Sequence, residues 1–287
     1  MMIKNIYIYF TEIILRGIIK RREVINYSKT EKLDIEKKEL IKNIRKSLLL
    51  KVFPYNFTKK YKLNSIKVYN DKEAGLPYVV HKNKRLYLRQ KPFDFLVKNY
   101  YKTLLIESDN ESPHKYLDSS FDIDNNTILF DLGAAEGIFA LENVEKCKHI
   151  YLFECDDTWI RSLEKTFEPY KDKVTIVKKY VSNNNDENNI TIDSYLEELK
   201  ETDNVFVKMD IEGAEIKAIE GMNKVLDKIK NIKLAVCSYH NQSDEVNIRK
   251  LFDEKFEITP TKGYVLFYYD PNFKPPYFRR CVLRIKK

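Results

Sequence analysis

The sequence predicts an α/β fold, with a mostly parallel sheet in the C-terminal half and an α+β extension before it. From Thr127 onward, short apolar runs alternate with stretches of helical periodicity. The apolar runs are residues 128–130, 150–153, 174–177, 205–209 and 233–237. Strands that are apolar on both faces are typical of a parallel sheet covered by helices on both sides.

The end of the chain predicts one antiparallel strand in this sheet. Residues 256–259 and 264–269 have strand composition and are separated by a Lys262-Gly263 turn. Two such runs around a short turn predict a β-hairpin.

The first 120 residues show no catalytic pattern. Apolar residues spaced three or four apart predict a helix over residues 31–51, and Pro54 would end it. Short strands are predicted at 65–69, 78–81 and 85–89, and a second helix at 93–107. We therefore divide the chain into an N-terminal segment (1–30), an accessory or cap region (31–120) and a catalytic domain (121–287).

The N-terminal segment is amphipathic. Lys4, Glu12 and Arg16 interrupt an apolar run, which argues against a signal peptide or a membrane-spanning helix. At helical spacing, one broad face would collect Ile3, Ile6, Tyr7, Phe10, Ile13, Ile14 and Ile18. This face predicts either packing against its own protein or an interfacial contact with a membrane or a second copy of the chain.

Composition narrows the class of protein. The net charge is +8, but the lysines are spread along the chain among acidic residues, which is typical of a solvated surface rather than a nucleic-acid footprint. Cys147, Cys155, Cys237 and Cys281 form no CxxC pair, so neither a zinc site nor a disulfide framework is predicted. We expect a cytoplasmic protein, or one held peripherally at the inner membrane face.

The most informative segment is Asp131-Leu132-Gly133-Ala134-Ala135-Glu136-Gly137, which lies between a predicted strand and helix. Open α/β sheets bind their ligands at such turns. Gly133 would let the backbone turn, and Gly137 would let the helix start close to a ligand. Ala135 stands where a dinucleotide fingerprint has its second glycine, so NAD is disfavoured. S-adenosylmethionine carries no phosphate and tolerates an alanine there.

Further polar residues follow the next strands. Glu154 comes 23 residues after Asp131, at the end of a predicted strand, where a carboxylate can accept hydrogen bonds from ribose hydroxyls. Lys208 and Asp210 would point to the same side of another strand, and a lysine inside an apolar strand needs a partner. Asp210 and Glu212 are the predicted partners, and Asp210 is also predicted to face the methyl donor and acceptor. His240 would follow the next strand at the same edge of the sheet.

These elements, in this order, resemble the FkbM family of S-adenosylmethionine-dependent methyltransferases over about the last 165 residues. The matching pieces are the Asp131–Gly137 motif, Phe153-Glu154, Ile192-Asp193, and Lys208-Met209-Asp210-Ile211-Glu212-Gly213-Ala214-Glu215. Cys155 departs from the pattern, because the family often has proline there. The resemblance implies a Rossmann-like class I methyltransferase sheet, and O-methylation of a hydroxyl on a sugar, glycan or related small molecule.

The motifs and the resemblance together give the expected site residues. Those expected to bind S-adenosylmethionine are Asp131, Gly133, Ala134, Ala135, Gly137, Glu154, Cys155, Val181 and Asp210. Those expected to contact the acceptor are His114, Tyr116, Glu212 and Tyr239. Methyl transfer is an in-line displacement that needs a proton acceptor, for which His240 is predicted, with Asp210 orienting it. No metal is expected.

Other interpretations remain open from the sequence. One is a protein that binds S-adenosylmethionine without turnover, and another is an NAD-dependent oxidoreductase. Nucleic acid is not an expected partner. Enzymes that methylate nucleic-acid bases carry a Pro-Pro-aromatic motif after their fourth strand, whereas Pro275-Pro276-Tyr277 in this chain follows the last predicted strands.

Overall fold

The computed structural model describes residues 2–287, with side chains from residue 14 onward, and its first 107 residues form an α+β unit. Its elements are α1 (Met2–Thr30), α2 (Ile35–Arg45), β1 (Tyr69–Asp71), β2 (Leu76–His81), β3 (Lys84–Tyr87) and α3 (Asp94–Glu107). The three strands form an antiparallel sheet in the order β1-β2-β3. The extension predicted from the sequence is therefore confirmed as mixed α and β structure.

Some predicted bounds in this unit were wrong for local reasons. α2 begins later than predicted because the Asp34 side chain caps it, accepting a hydrogen bond from the amide of Lys37. The strand predicted at 65–69 begins only at Tyr69, after a 3₁₀ helix at Leu63–Ser65. The strands predicted at 78–81 and 85–89 correspond to β2 and β3, and Lys82 and Asn83 between them both have positive φ, as a tight hairpin requires.

Strands and helices alternate through the rest of the chain. In order they are β4 (Thr127–Leu132), α4 (Ile138–Asn143), β5 (Cys147–Phe153), α5 (Asp157–Phe167), β6 (Val174–Val177), β7 (Tyr180–Val181), β8 (Asn189–Ile190), β9 (Asn204–Met209), α6 (Glu215–Glu220), α7 (Asn223–Lys228), β10 (Asn231–Cys237), α8 (Asp244–Arg249), β11 (Glu257–Pro260) and β12 (Val282–Lys286).

Seven of these strands form the central sheet in the order β11-β12-β10-β9-β4-β5-β6. The pairs β4–β5, β5–β6, β4–β9 and β9–β10 are parallel, whereas β12 runs antiparallel to both β10 and β11. This confirms the predicted Rossmann-like sheet with one antiparallel strand near the C-terminus. The chain leaves β4 towards β5 and then crosses back to β9, so the strand order reverses beside β4, where such sheets bind ligands.

The predicted C-terminal hairpin was wrong in its second strand. β11 pairs with β12, with Glu257 opposite Lys286, and residues 264–269 form no strand. Tyr264, Leu266 and Tyr268 are instead buried in a cluster with residues of α1 and α2. Their alternating pattern is that of a strand, but the surface they cover belongs to the N-terminal helices.

The accessory region shares a hydrophobic core with the sheet. One buried cluster contains Val79 and Leu86 of the small sheet and Leu104 of α3, together with Leu129 and Phe206 of the central sheet. A second cluster covers the other face of the central sheet. The boundary predicted at residue 120 is therefore not a boundary in packing.

The second half of α1 packs on its own protein. Val24 is fully buried, Arg16 donates to the carbonyl of Asp270, and Arg21 donates to the carbonyl of Ile44. Of the predicted apolar face, Ile14 is 44% exposed and Ile18 is partly buried. The other predicted face residues from Ile3 to Ile13 lie outside the described side chains. Contact with a membrane or a second copy stays a prediction, and no helix in the part of the chain that is described could cross a bilayer.

A substitution at Gly221, at the end of α6, can test how tightly the helices pack on the central sheet. A Cβ there would lie 2.0 Å from the carbonyl oxygen of Ser182, so Gly221→Ala should force two backbone segments apart. We expect a loss of at least about 1–3 kcal/mol in the free energy of unfolding, measured by chemical denaturation. Gly17→Ala is the control, because its nearest neighbour would lie 3.8 Å away and alanine favours helix. Equal stability of the two variants would contradict the packing described.

Candidate active site

A cavity of about 300 Å³ lies between the carboxyl edge of the central sheet and the accessory region. Its sheet side is formed by the turn after β4 and the residues that follow β9 and β10; its other side is formed by α3 and residues 112–117. Its polar lining side chains include Tyr100, Glu107, His114, Tyr116, Glu136, Asp210, Glu212 and Tyr239. All four predicted acceptor residues, His114, Tyr116, Glu212 and Tyr239, are among them.

The turn after β4 is packed so tightly that it requires glycine. Gly133 has φ +73, and a Cβ there would lie 2.1 Å from the carbonyl oxygen of Asp210. Gly137 has φ +80, and its Cβ would lie 2.6 Å from the ring of Phe167 in α5. Both conformations are unfavourable for other residues. The glycines therefore bring the turn into contact with β9 and α5, and Gly133 and Ala134 line the cavity.

Lys208 and Asp131 form a buried ion pair beneath this turn. They are opposite one another in the β4–β9 register, with Nζ 3.1 Å from Oδ1. Lys208 also donates to the carbonyl of Gly133 at 2.6 Å. Burial alone would lower the pKa of Lys208, but Asp131 and Asp210 raise it. Asp210 and Glu212 were predicted as the partners of Lys208, and this was wrong, because Asp131 on the neighbouring strand β4 supplies the nearer carboxylate. Asp131 is fully buried, so its ion pair with Lys208 lies beneath the turn.

Glu154 braces the same turn from β5. Its Oε2 accepts a hydrogen bond from the amide of Ala135 at 2.9 Å, and its Oε1 accepts one from Asp156 at 2.8 Å. A carboxylate has about four acceptor positions, so capacity for ribose hydroxyls remains. Of the other predicted cofactor residues, Cys155 is exposed after β5, while Val181 packs in the second hydrophobic cluster. Glu154, Cys155 and Val181 do not line the cavity.

Asp210 is the centre of the polar groups in the cavity. Tyr116 donates to its Oδ2 at 2.9 Å, and Tyr239 lies 3.5 Å from its Oδ1. The Nε2 atoms of His114 and His240 lie 3.4 and 3.3 Å from the carboxylate. Burial alone would raise the pKa of Asp210, but the two histidines and Lys208 hold it well below its usual value. Asp210 is therefore ionised at neutral pH.

His240 has an environment that does not support its predicted role as proton acceptor. Its side chain is 4% exposed and does not line the cavity. Nε2 faces Asp210, and Nδ1 lies 2.9 Å from Glu215. Burial alone would lower the pKa of His240, but these two carboxylates raise it to about 10. An imidazole that keeps its proton at neutral pH cannot accept another, so His240 acts as a buried cation that neutralises Asp210 and Glu215.

Among the side chains that the structure describes, two sets have atoms close enough to share a metal ion: His114, Asp210 and Cys237, and Asp210, Glu215 and His240. In the first set, burial raises the pKa of the Cys237 thiol well above its usual value, which keeps it a poor ligand. In the second set, the two nitrogens of His240 face different carboxylates. The side chains of both sets therefore have partners within the protein.

Sequence reasoning missed several residues of the cavity, among them Tyr100, Glu107 and Glu136. Glu136 lies inside the recognised motif, and Tyr100 donates a 2.5 Å hydrogen bond to it. The acidic residue within an otherwise small-residue turn was the available signal. Tyr100 and Glu107 belong to α3, and nothing in their local pattern indicates that this helix faces the sheet edge.

The comparison with protein families agrees with this site. Residues 139–266, a little less than half of the chain, match the family described as the methyltransferase FkbM domain. The match confirms the predicted resemblance to this family for this part of the chain, and it supports a methyltransferase. It begins just after the Asp131–Gly137 motif. No curated protein sequence matches the chain.

Similar solved structures are distant. SMU.1697c from Streptococcus mutans, in complex with SAH, is 14% identical, with a TM-score of 0.39 over 57% of this chain and 90% of that one. An rRNA methylase from Streptococcus thermophilus is 12% identical, with a TM-score of 0.38 over 57% and 89%. Precorrin-6y C5,15-methyltransferase from Geobacter metallireducens is 13% identical, with a TM-score of 0.38 over 58% and 82%. Because these identities and TM-scores are low, the assignment of the fold rests on the observed order of the strands in the sheet.

The buried cation at His240 predicts a pH dependence of stability. Its pKa is about 10 in the folded protein and 6.5 in an unfolded chain, so its contribution is complete below about pH 6.5 and is lost as the pH rises through about 10. Between pH 7.5 and 9, the free energy of unfolding should fall with pH more steeply than in His240→Gln, by about 1.4 kcal/mol per pH unit.

His149→Gln is the control for that slope. Burial lowers the pKa of His149, so this ring is neutral in both folded and unfolded chains above pH 7.5. Its slope should equal that of the parent protein. His240→Gln will also lower the overall stability, because it leaves Asp210 and Glu215 without their cation. An unchanged slope in His240→Gln would show that His240 is not charged in the folded protein.

Proposed function

We propose that the protein transfers a methyl group from S-adenosylmethionine to a hydroxyl of a sugar, glycan or related small molecule. The observation that carries the proposal is the cavity that joins the glycine turn to Asp210. A methyl donor seated on the turn would present its sulfonium to that cavity. Hydroxyl, imidazole and carboxylate groups that can bind an acceptor line the same space.

The residues around the turn fit the donor. Glu154 is fixed at a strand end with acceptor positions left for the ribose, and Gly133 and Ala134 of the turn line the cavity. Ala135 carries a side chain on this turn at φ +48, where a pyrophosphate would need the closest backbone approach. This supports S-adenosylmethionine over NAD.

The charges in the cavity support an acceptor without phosphates. Five carboxylate residues line it: Glu107, Glu136, Glu142, Asp210 and Glu212. The lysines among its lining residues are Lys115 and Lys208, and Lys208 is already paired with Asp131. A polyanion such as RNA would be repelled here, since nucleic-acid sites depend on neutralising phosphates with basic side chains. A neutral polyhydroxyl acceptor meets no such penalty.

His114 replaces His240 as the proposed proton acceptor. It lines the cavity, and its Nε2 lies 3.3 Å from the Tyr239 hydroxyl and 3.4 Å from Asp210. In the transfer, the acceptor oxygen forms its bond to the methyl carbon as the carbon–sulfur bond breaks. The hydroxyl proton passes to His114, and the ionised Asp210 stabilises the resulting imidazolium. The bond electrons stay on sulfur, which leaves as a neutral thioether.

The direct test is methyl transfer from radiolabelled S-adenosylmethionine to a panel of hydroxyl-bearing sugars and glycans, with RNA as the comparison. We expect label in a sugar or glycan fraction and not in RNA. Asp210→Asn keeps the side-chain shape but removes the charge, and should lower turnover roughly 10²–10⁴-fold. Because Asp210 lies in a buried charge cluster, unfolding must be measured alongside.

Several outcomes would contradict the proposal. Label in RNA would overturn the acceptor class. Binding of S-adenosylmethionine without transfer to any acceptor of the panel would favour a binding protein, and binding of NAD in its place would favour an oxidoreductase. Near-parent turnover in a folded Asp210→Asn variant would remove Asp210 from the mechanism.

Glu154→Ala tests the donor site. Removing a charged acceptor of ribose hydrogen bonds should cost roughly 1.5–3 kcal/mol, or about tenfold or more in affinity for S-adenosylmethionine, measured by calorimetry. Glu73→Ala is the matched control, because Glu73 is exposed and its side chain makes no hydrogen bond among the described residues. Equal affinity in the two variants would place the ribose elsewhere.

A further inference from the structure

We propose, building on the proposed use of S-adenosylmethionine, that the Glu107 carboxylate binds the α-ammonium group at the methionine end of the methyl donor. Glu107 is the last residue of α3 and lies outside the part of the chain that matches the methyltransferase family. It lines the cavity together with the glycine turn. The accessory region would then complete the donor site.

Glu107 differs from the other carboxylates around it in having no partner. Glu136 accepts a hydrogen bond from Tyr100, and Glu142 lies 2.7 Å from His81 and 2.9 Å from Lys82. Asp210 is contacted by two tyrosines and two histidines. Among the described residues, none donates a hydrogen bond to the Glu107 side chain. Glu107 is half-buried in the cavity wall, so its carboxylate, which has no donor among these residues, can accept hydrogen bonds from a ligand that enters the cavity.

The charged groups facing Glu107 come from three elements. His114 faces it from residues 112–117, Glu136 from the glycine turn, and Asp210 and Lys208 from β9 and the residue that follows it. Burial, helped by the two carboxylates, raises the pKa of Glu107 to about 7. A cation bound next to Glu107 would favour its ionised form.

The position of Glu107 relative to Glu154 identifies the cation. Glu154 lies beyond the glycine turn and outside the cavity, whereas Glu107 lies inside it. A nucleoside whose ribose is held at Glu154 must cross the turn, which places its amino-acid end in the cavity. S-adenosylmethionine carries two cationic groups and one carboxylate, and its ammonium remains after the methyl group has left. The ammonium is therefore the group that needs a lasting anionic partner.

The pH dependence of binding follows from this assignment. Below about pH 7 the ligand must displace a proton from Glu107, so affinity should rise with pH by up to about tenfold per unit and level off above pH 8. With glutamine at this position there is no proton to displace. Glu107→Gln should therefore show a flatter profile between pH 6 and 8.

Three ligands separate the ammonium from other contacts, with calorimetry at pH 8 on the full chain. S-adenosylmethionine and S-adenosylhomocysteine both carry the ammonium, whereas 5′-methylthioadenosine lacks the amino-acid end. Glu107→Gln should weaken the first two by roughly ten- to a hundredfold and leave the third unchanged. Glu73→Gln, at an exposed carboxylate, should match the parent protein with all three.

Other results would overturn the assignment. Weakening of S-adenosylmethionine alone would place Glu107 at the sulfonium, and weakening of all three would indicate a general effect on the site. Unchanged binding with slower turnover and an altered pH–rate profile would make Glu107 a group that acts on the acceptor. Failure of the parent protein to bind any of these ligands would contradict the proposed function itself, so the two hypotheses fail in different ways.

Discussion

The site depends on a buried cation, the Lys208 ammonium between β4 and β9. It neutralises Asp131 across the register of the two strands, and it donates to the carbonyl of Gly133 at the start of the ligand turn. The cost of burying an ammonium is high, so its partners must stay in place. One side chain therefore fixes both the pairing of the two central strands and the conformation of the turn between them. The turn also contacts the backbone of Asp210, and both line the cavity.

A second buried cation, His240, balances the carboxylates after β9. Asp210 and Glu215 lie on either side of its ring, and these two carboxylates raise the pKa of His240. Lys208 therefore stabilises the conformation of the turn, whereas His240 stabilises the ionised form of Asp210. His114 lies on the cavity side of the same carboxylate. Two histidines that look alike in the sequence thus occupy opposite sides of one aspartate, and the side decides which of them can meet a ligand.

The fold was predictable because its signals are local. Apolar strand runs, glycine turns and the order of the motifs identified the parallel sheet, its antiparallel strand and the edge where the polar residues meet. What failed depended on long-range pairing. The partner of Lys208 is set by the register of neighbouring strands, and the partner of β11 is set by the burial of Tyr264 and Leu266 against the N-terminal helices. Neither contact produces a periodic pattern in the sequence.

The site residues divide in the same way. Positions on the sheet edge could be inferred, since parallel strands end together, and the acceptor-side residues His114 and Tyr116 were inferred from their place just before the catalytic domain. The protonation of His240 could not be inferred, because it depends on two carboxylates from another segment. Tyr100 and Glu107 were missed because the accessory region was treated as separate, whereas it shares a core with the sheet. Since one wall of the cavity comes from that region, residues 121–287 alone would leave the cavity open on that side, and part of its lining lies outside the residues that match the family.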